Sequence, residues 1–130
     1  MTMASDARGV VETYFNAWKR NDFATMRSVL ADALDFAGPI DRFDTADAYQ
    51  QAIRGLSQLK TDITVHVCIA DGPDVMTWYD LHTRIAPPAP VAEWSRVENG
   101  KITQVRVVFD PRPFAAAAAG AGPAAGSAAP

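Results

Sequence analysis

The sequence contains one cysteine, Cys68, so no disulfide can close within the chain and nothing ties the protein to an oxidising compartment. Cys68 lies in an alternating apolar run, where an inert buried thiol is expected. Lysine and arginine number 12 against 15 acidic residues and never run beyond the pair Lys19-Arg20; at a net charge of −3 no basic patch for nucleic acid or an anionic membrane is expected. No stretch approaches the roughly 20 apolar residues of a membrane span. Residues Met1 to Asp6 have neither the charged segment nor the apolar stretch of a secretory leader, so a cytoplasmic protein is expected. Glycine-rich phosphate loops, nucleophile elbows and Cys/His triads are missing too, so no cofactor is expected. His66 and His82 are the only histidines, and His66 has no third ligand at sensible spacing, so no metal is expected either.

What is present fits one domain. Val10, Val11, Tyr14, Phe15 and Trp18 recur at helical spacing and predict an amphipathic helix ending near Arg20. Asn21 or Asp22 can cap a second helix with Phe23, Met26, Val29 and Leu30 on its stripe. A short strand, 34–37, runs into Gly38-Pro39, and Asp44 or Thr45 caps a third helix carrying Tyr49, Ala52, Ile53 and Leu56. After Lys60 the period becomes two. A strand with Ile63, Val65, Val67 and Ile69 on one face is followed, past Asp71-Gly72-Pro73, by a second over 75–85. A hairpin, 91–98 and 101–109, closes on Asn99-Gly100, a pair suited to the tightest two-residue turn. Helices followed by an antiparallel meander mean an α+β fold with helices on one face of a curled sheet. Residues 1–5 and the Ala/Gly/Pro stretch 115–130 are expected to be disordered, leaving a folded domain over 6–114.

This order of elements resembles the nuclear-transport-factor-2-like superfamily and its SnoaL-like members. The stretch VVETYFNAWKRNDFATMRSVLADALDF is similar to the family's opening helices, and VENGKITQVRVVFD to its closing hairpin. The resemblance implies a cone-shaped barrel, three N-terminal helices packed on a highly curved, mostly antiparallel sheet. The barrel would enclose one small-molecule pocket, and the chain would form a homodimer. It does not imply one reaction, because the fold hosts isomerases, cyclases, dehydratases, epoxide hydrolases and binders. Laid on ketosteroid isomerase, Tyr14 matches the oxyanion tyrosine, the general base falls on Ala37 and the second acid on or next to Ala92. Laid on limonene-epoxide hydrolase, the last-strand aspartate falls on Val107, and the preceding Arg and Asp on Tyr79 and Leu81. Laid on the SnoaL-type polyketide cyclases, His82-Thr83 resembles part of a G-T-H-T-G segment, while the last-strand acid is again a valine.

The chemistry therefore depends on which side chains face the barrel. In a regular Asn99-Gly100 hairpin, Ala92, Trp94, Val105, Val107 and Phe109 share the pocket side, while Glu93 pairs with Arg106 and Ser95 with Gln104 outside. A bulged turn would shift the register by one residue and put Glu93 inside. In the strand 75–85, Met76, Trp78, Asp80, His82 and Arg84 share one face; Thr77, Tyr79, Leu81, Thr83 and Ile85 share the other. The first set is either a solvated outer row or a pocket wall on which Asp80 and His82 form an acid–base pair. With that pair inside, Asp80 and His82 carry protons and Tyr14 polarises the substrate. Trp18, Asp35, Trp78, Trp94, Val107 and Phe109 then hold a small apolar metabolite. The expected function is cofactor-independent isomerisation, dehydration or polyketide-type cyclisation; the alternative is a non-catalytic ligand-binding or dimerising module. Val91, Val97, Ile102 and Val108 are expected to face a second subunit.

Overall fold

The computed structural model describes residues 3–121, with side chains described from 7 to 118. Helix α1 (Met3–Lys19) places Ala7, Val11, Tyr14, Phe15 and Trp18 on one buried stripe. It ends on a Schellman motif: Asn21 takes the left-handed conformation (φ 60°), and the Asp22 N–H reaches back to the Ala17 carbonyl at 2.8 Å. The Asp22 side chain then caps α2 (Phe23–Ser28) by accepting from the Thr25 N–H, so one junction ends one helix and starts the next. Helix α2 stops at Ser28; Leu30, expected on its stripe, opens strand β1 (Leu30–Ala37) instead. A two-residue strand β2 (Arg42–Phe43) precedes α3 (Ala46–Ser57), which Thr45 caps as expected.

The remaining strands are β3 (Lys60–Asp71), β4 (Asp74–Thr83), β5 (Ala89–Glu98) and β6 (Lys101–Val108). They form one six-stranded sheet in the order β2-β1-β6-β5-β4-β3, antiparallel throughout except for the parallel β1–β6 pair. The α+β architecture and the curved sheet expected from the sequence are both present. Helix α1 lies across the inner face of β3 to β6, where Trp18 and Phe15 meet the Tyr79 ring edge-on. Core and cavity share this inner face.

Two register irregularities decide which side chains line it. Asn99 and Gly100 both have positive φ (54° and 75°), the tight turn that the sequence predicts. Three residues after Gly100, Thr103 is squeezed out of the ladder. Val97 still faces Ile102, but Arg96 faces Gln104, and the extra residue is held by the Thr103 hydroxyl donating to the Arg96 carbonyl. This bulge lies in the strand, not the turn, and reverses β5 against the regular-hairpin expectation: Val91, Glu93, Ser95 and Val97 point inward, Ala92 and Trp94 outward. The second bulge, between Val65 and Val67, breaks the expected alternation of β3, leaving Ile63 buried and Val67 and Ile69 exposed on the outer face.

Two segments expected to be disordered are helical. Residues 3–5 begin α1, and 115–121 continue α4 (Arg112–Ala121). Alanine has the highest intrinsic helix propensity, and Pro113 is tolerated in a first turn. The rest of the two expected disordered ends, 1–2 and 122–130, lies outside the described residues.

Candidate functional site

Between α3, the inner face of the sheet and the 38–41 loop lies a cavity of about 260 Å³. Its walls are almost wholly apolar and rich in rings: Trp18 from α1, Phe36 from β1, Tyr49 from α3 and Tyr79 from β4, with Phe109 and Phe114 toward the mouth. Two of the lining residues are carboxylic acids, Asp41 in the loop and Glu93 on β5.

Glu93 is 2 % exposed. The Tyr79 hydroxyl donates to its Oε1 at 2.9 Å, while Oε2 has no partner among the described residues. Desolvation raises its pKa from an ordinary 4.5 to about 7, opposed only in part by the Tyr79 hydrogen bond. Near neutral pH the group is thus close to half-protonated, able to give a proton or take one.

Two more buried hydroxyls feel the charge at Glu93. Tyr14 and Tyr49, both buried, share a hydrogen bond. Burial pushes all three tyrosines well above their usual pKa, helped next by the negative charge at Glu93 for Tyr49 and Tyr79 and by Tyr49 ahead of Glu93 for Tyr14, so they stay neutral donors. Two hydroxyl hydrogens and one bond between them leave one hydrogen with no acceptor among the described residues. With Tyr14 donating to Tyr49 the spare hydrogen is on Tyr49, which lines the cavity, and a ligand oxygen there can take it.

The fold brings only part of the expected site together. Trp18, Val107 and Phe109 line the cavity, and Tyr14 stands behind it, reaching it through Tyr49. Asp80 and His82 do not belong to it. The inner row of β4 is Val75, Thr77, Tyr79 and Leu81, and the proposed dyad points to the opposite side. There Asp80 meets His66 Nε2 at 3.0 Å, and His82 meets the Thr64 hydroxyl at 2.9 Å. Keeping both groups hydrated avoids the cost of burying two charges, which decides the facing. Trp78 is on the same outer face, 46 % exposed. The Thr103 bulge turns Trp94 outward, where its indole N–H donates to Asp74. Asp35 is outside as well, paired with Arg106 at 3.1 Å; Arg106 is therefore taken by Asp35 and does not meet Glu93. Cys68 is half-buried rather than core, opposite Thr77. Val91, Val97 and Ile102, expected at a subunit contact, are buried in the core, and only Val108 of that set is exposed.

Glu93 was open to sequence reasoning through a conflict. Counting back by twos from the aliphatic pair Val97–Ile102 puts Ser95, Glu93 and Val91 inside. Counting back from Phe109 puts Val107, Val105 and Thr103 inside. Both sets can be inside only if the ladder slips by one residue between them.

A SnoaL-like domain model matches residues 11–105. Among solved structures, a protein from Kribbella flavida shares 32% identity at a TM-score of 0.80, covering 84% of this chain and 90% of its own. A nuclear-transport-factor-2-like protein of unknown function from Cytophaga hutchinsonii shares 25% identity at 0.75, with 83% and 93% covered. An LEH-like epoxide hydrolase from M. tuberculosis shares 24% at 0.74, with 88% and 90% covered. Structures described as a candidate ketosteroid isomerase and a candidate polyketide cyclase have the same fold. No protein of curated function matches the sequence. The match over most of the folded residues and the 32% identical relative fix the family: the chain belongs to the SnoaL-like domain proteins of the nuclear-transport-factor-2-like fold.

Proposed function

We propose that the chain is a small-molecule enzyme in which Glu93, not Asp80 and His82, moves the proton. One observation carries the reading: a buried carboxyl, one oxygen of which has no partner among the described residues, stands in a largely apolar cavity. Burying such a group costs several kcal/mol, a cost that a packing role does not explain. A substrate oxygen would accept the spare hydrogen of the Tyr14–Tyr49 pair, polarising the molecule, while Glu93 adds or removes a proton nearby. Tyr79 holds the carboxyl in one orientation throughout. Isomerisation, dehydration and cyclisation of a small, largely apolar metabolite all reduce to this step, and none needs a cofactor.

The test is a panel of small cyclic ketones, epoxides and alcohols followed by NMR in D₂O. Wild-type protein should catalyse deuterium uptake or conversion of at least one member, and Glu93→Gln should slow it by about 10²–10⁴-fold, the usual worth of one acid–base group. The rival, a non-catalytic binder, draws on the exposure of the other lining carboxyl, Asp41, which leaves Glu93 as the one buried acid of the described lining. Binding without turnover, equal in both proteins, would favour it.

We further propose a homodimer joined through the outer sheet face. Cross-strand neighbours place Val67, Trp78, Ala92 and Val108 in one row across four strands, with Ile69, Met76 and Trp94 in the next. Five of these seven are large and exposed, an apolar patch of the kind that marks an interface. No helix among the described residues is long and apolar enough to cross a membrane. With a single cysteine and no disulfide to maintain, the cytoplasm is the compartment we propose.

A further inference from the structure

The ionisable groups of the cavity wall are all of one sign. Glu93 and Asp41 line it, and among the described residues no lysine, arginine or histidine does. The other polar groups facing it are neutral tyrosine hydroxyls, and the rest is aliphatic or aromatic. Seven aromatic side chains line it, from Trp18 on α1 to Phe109 and Phe114 near the chain's end, and a ring face carries partial negative charge that attracts cations.

We infer that the cavity is built for a compact lipophilic amine, bound as its ammonium ion with an N–H directed at Glu93 Oε2 and its hydrocarbon body against the rings. The class follows from three features together. Glu93 Oε2 is a buried acceptor with no partner among the described residues, on a side chain that lines the space. An ammonium ion fills it and also cancels the charge that makes the buried carboxylate costly. Because folding has already stripped water from the carboxylate, only the ligand's own desolvation remains to be offset. The volume of about 260 Å³ is just under that of pockets for drug-sized ligands, which limits the hydrocarbon part to roughly one or two small rings. An anionic ligand meets two carboxyls and no cation. A neutral ligand can fill the acceptor but gains nothing from the charge.

The inference rests on Glu93 being the reactive centre proposed above, and it names the kind of molecule that centre meets. Three probes of one shape test it at pH 8: cyclohexylmethylamine, cyclohexylmethanol and cyclohexanecarboxylate, titrated calorimetrically into the full chain. The amine should bind about tenfold or more tighter than the alcohol, and the carboxylate weakest. In Glu93→Gln the amine's advantage should vanish while the alcohol still binds, showing that the cavity survives the substitution. An alcohol that binds as well as the amine, or a carboxylate that binds best, overturns the amine class but leaves Glu93 as the proton carrier. Failure of all three to bind, with Glu93 titrating like a surface carboxyl, overturns both.

Discussion

Replacing Glu93 by glutamine should make the protein more stable at pH 8 and hardly change it at pH 5. The carboxyl is raised from 4.5 to about 7 on folding, so between those values the folded state holds a proton that the unfolded chain has released. Stability therefore falls as pH rises through this window. The penalty is absent below the unfolded pKa and complete above the folded one. At 1.36 kcal/mol per pH unit it amounts to about 3 kcal/mol by pH 8. Glutamine resembles the protonated acid and escapes this cost. Its second amide hydrogen has no acceptor, which returns about 1 kcal/mol, leaving a net gain of about 2 kcal/mol. For a domain of this size that is roughly 6–8 °C in Tm. Calorimetric melts of both proteins at pH 5, 6, 7 and 8 would trace the gap opening. A variant less stable than wild type by the same amount at every pH would refute the reasoning, because the carboxyl would then be an ordinary structural group. The expected gain is also the pattern of a site that trades stability for function.

Other outcomes follow from the same geometry. Asp80→Asn should leave Tm within about a degree and leave cavity ligands unaffected, since a half-exposed ion pair with His66 is worth under about 1 kcal/mol; loss of ligand binding would return Asp80 to the site. Tyr14→Phe should strip Tyr49 of its buried partner and cost about 1–3 kcal/mol in denaturant unfolding; no change would mean that the shared hydrogen bond is not formed. If the proposed dimer forms through the outer apolar row, Trp78→Glu in the middle of that row should sediment as a 14.0 kDa species where the wild type sediments at twice that mass; a wild-type protein already at 14.0 kDa would refute the dimer.

The helices were legible because each face is written at a spacing of three and four residues, and because Asp22 and Thr45 cap where short polar side chains should. The hairpin turn was legible from two residues, Asn99 and Gly100, that tolerate positive φ. The site was less so. Its position depends on Thr103, and a threonine forced out of a ladder looks in sequence like any other strand threonine. One slipped residue exchanged Glu93 for Trp94 in the cavity and moved the chemistry from one strand to the next. On β4, Trp78 lies beside Asp80 and His82, and a large ring among charges gave that face the look of a pocket wall. Its apolar surface is instead part of the row that crosses the outer sheet.

The most direct test of the central claim is an NMR pH titration of the Glu93 side-chain carboxyl carbon, assigned by its disappearance in Glu93→Gln. The account predicts a midpoint near pH 7, well above every freely hydrated carboxyl in the chain. A midpoint near 4.5 would mean that water reaches Glu93, and the cavity would lose its proton carrier.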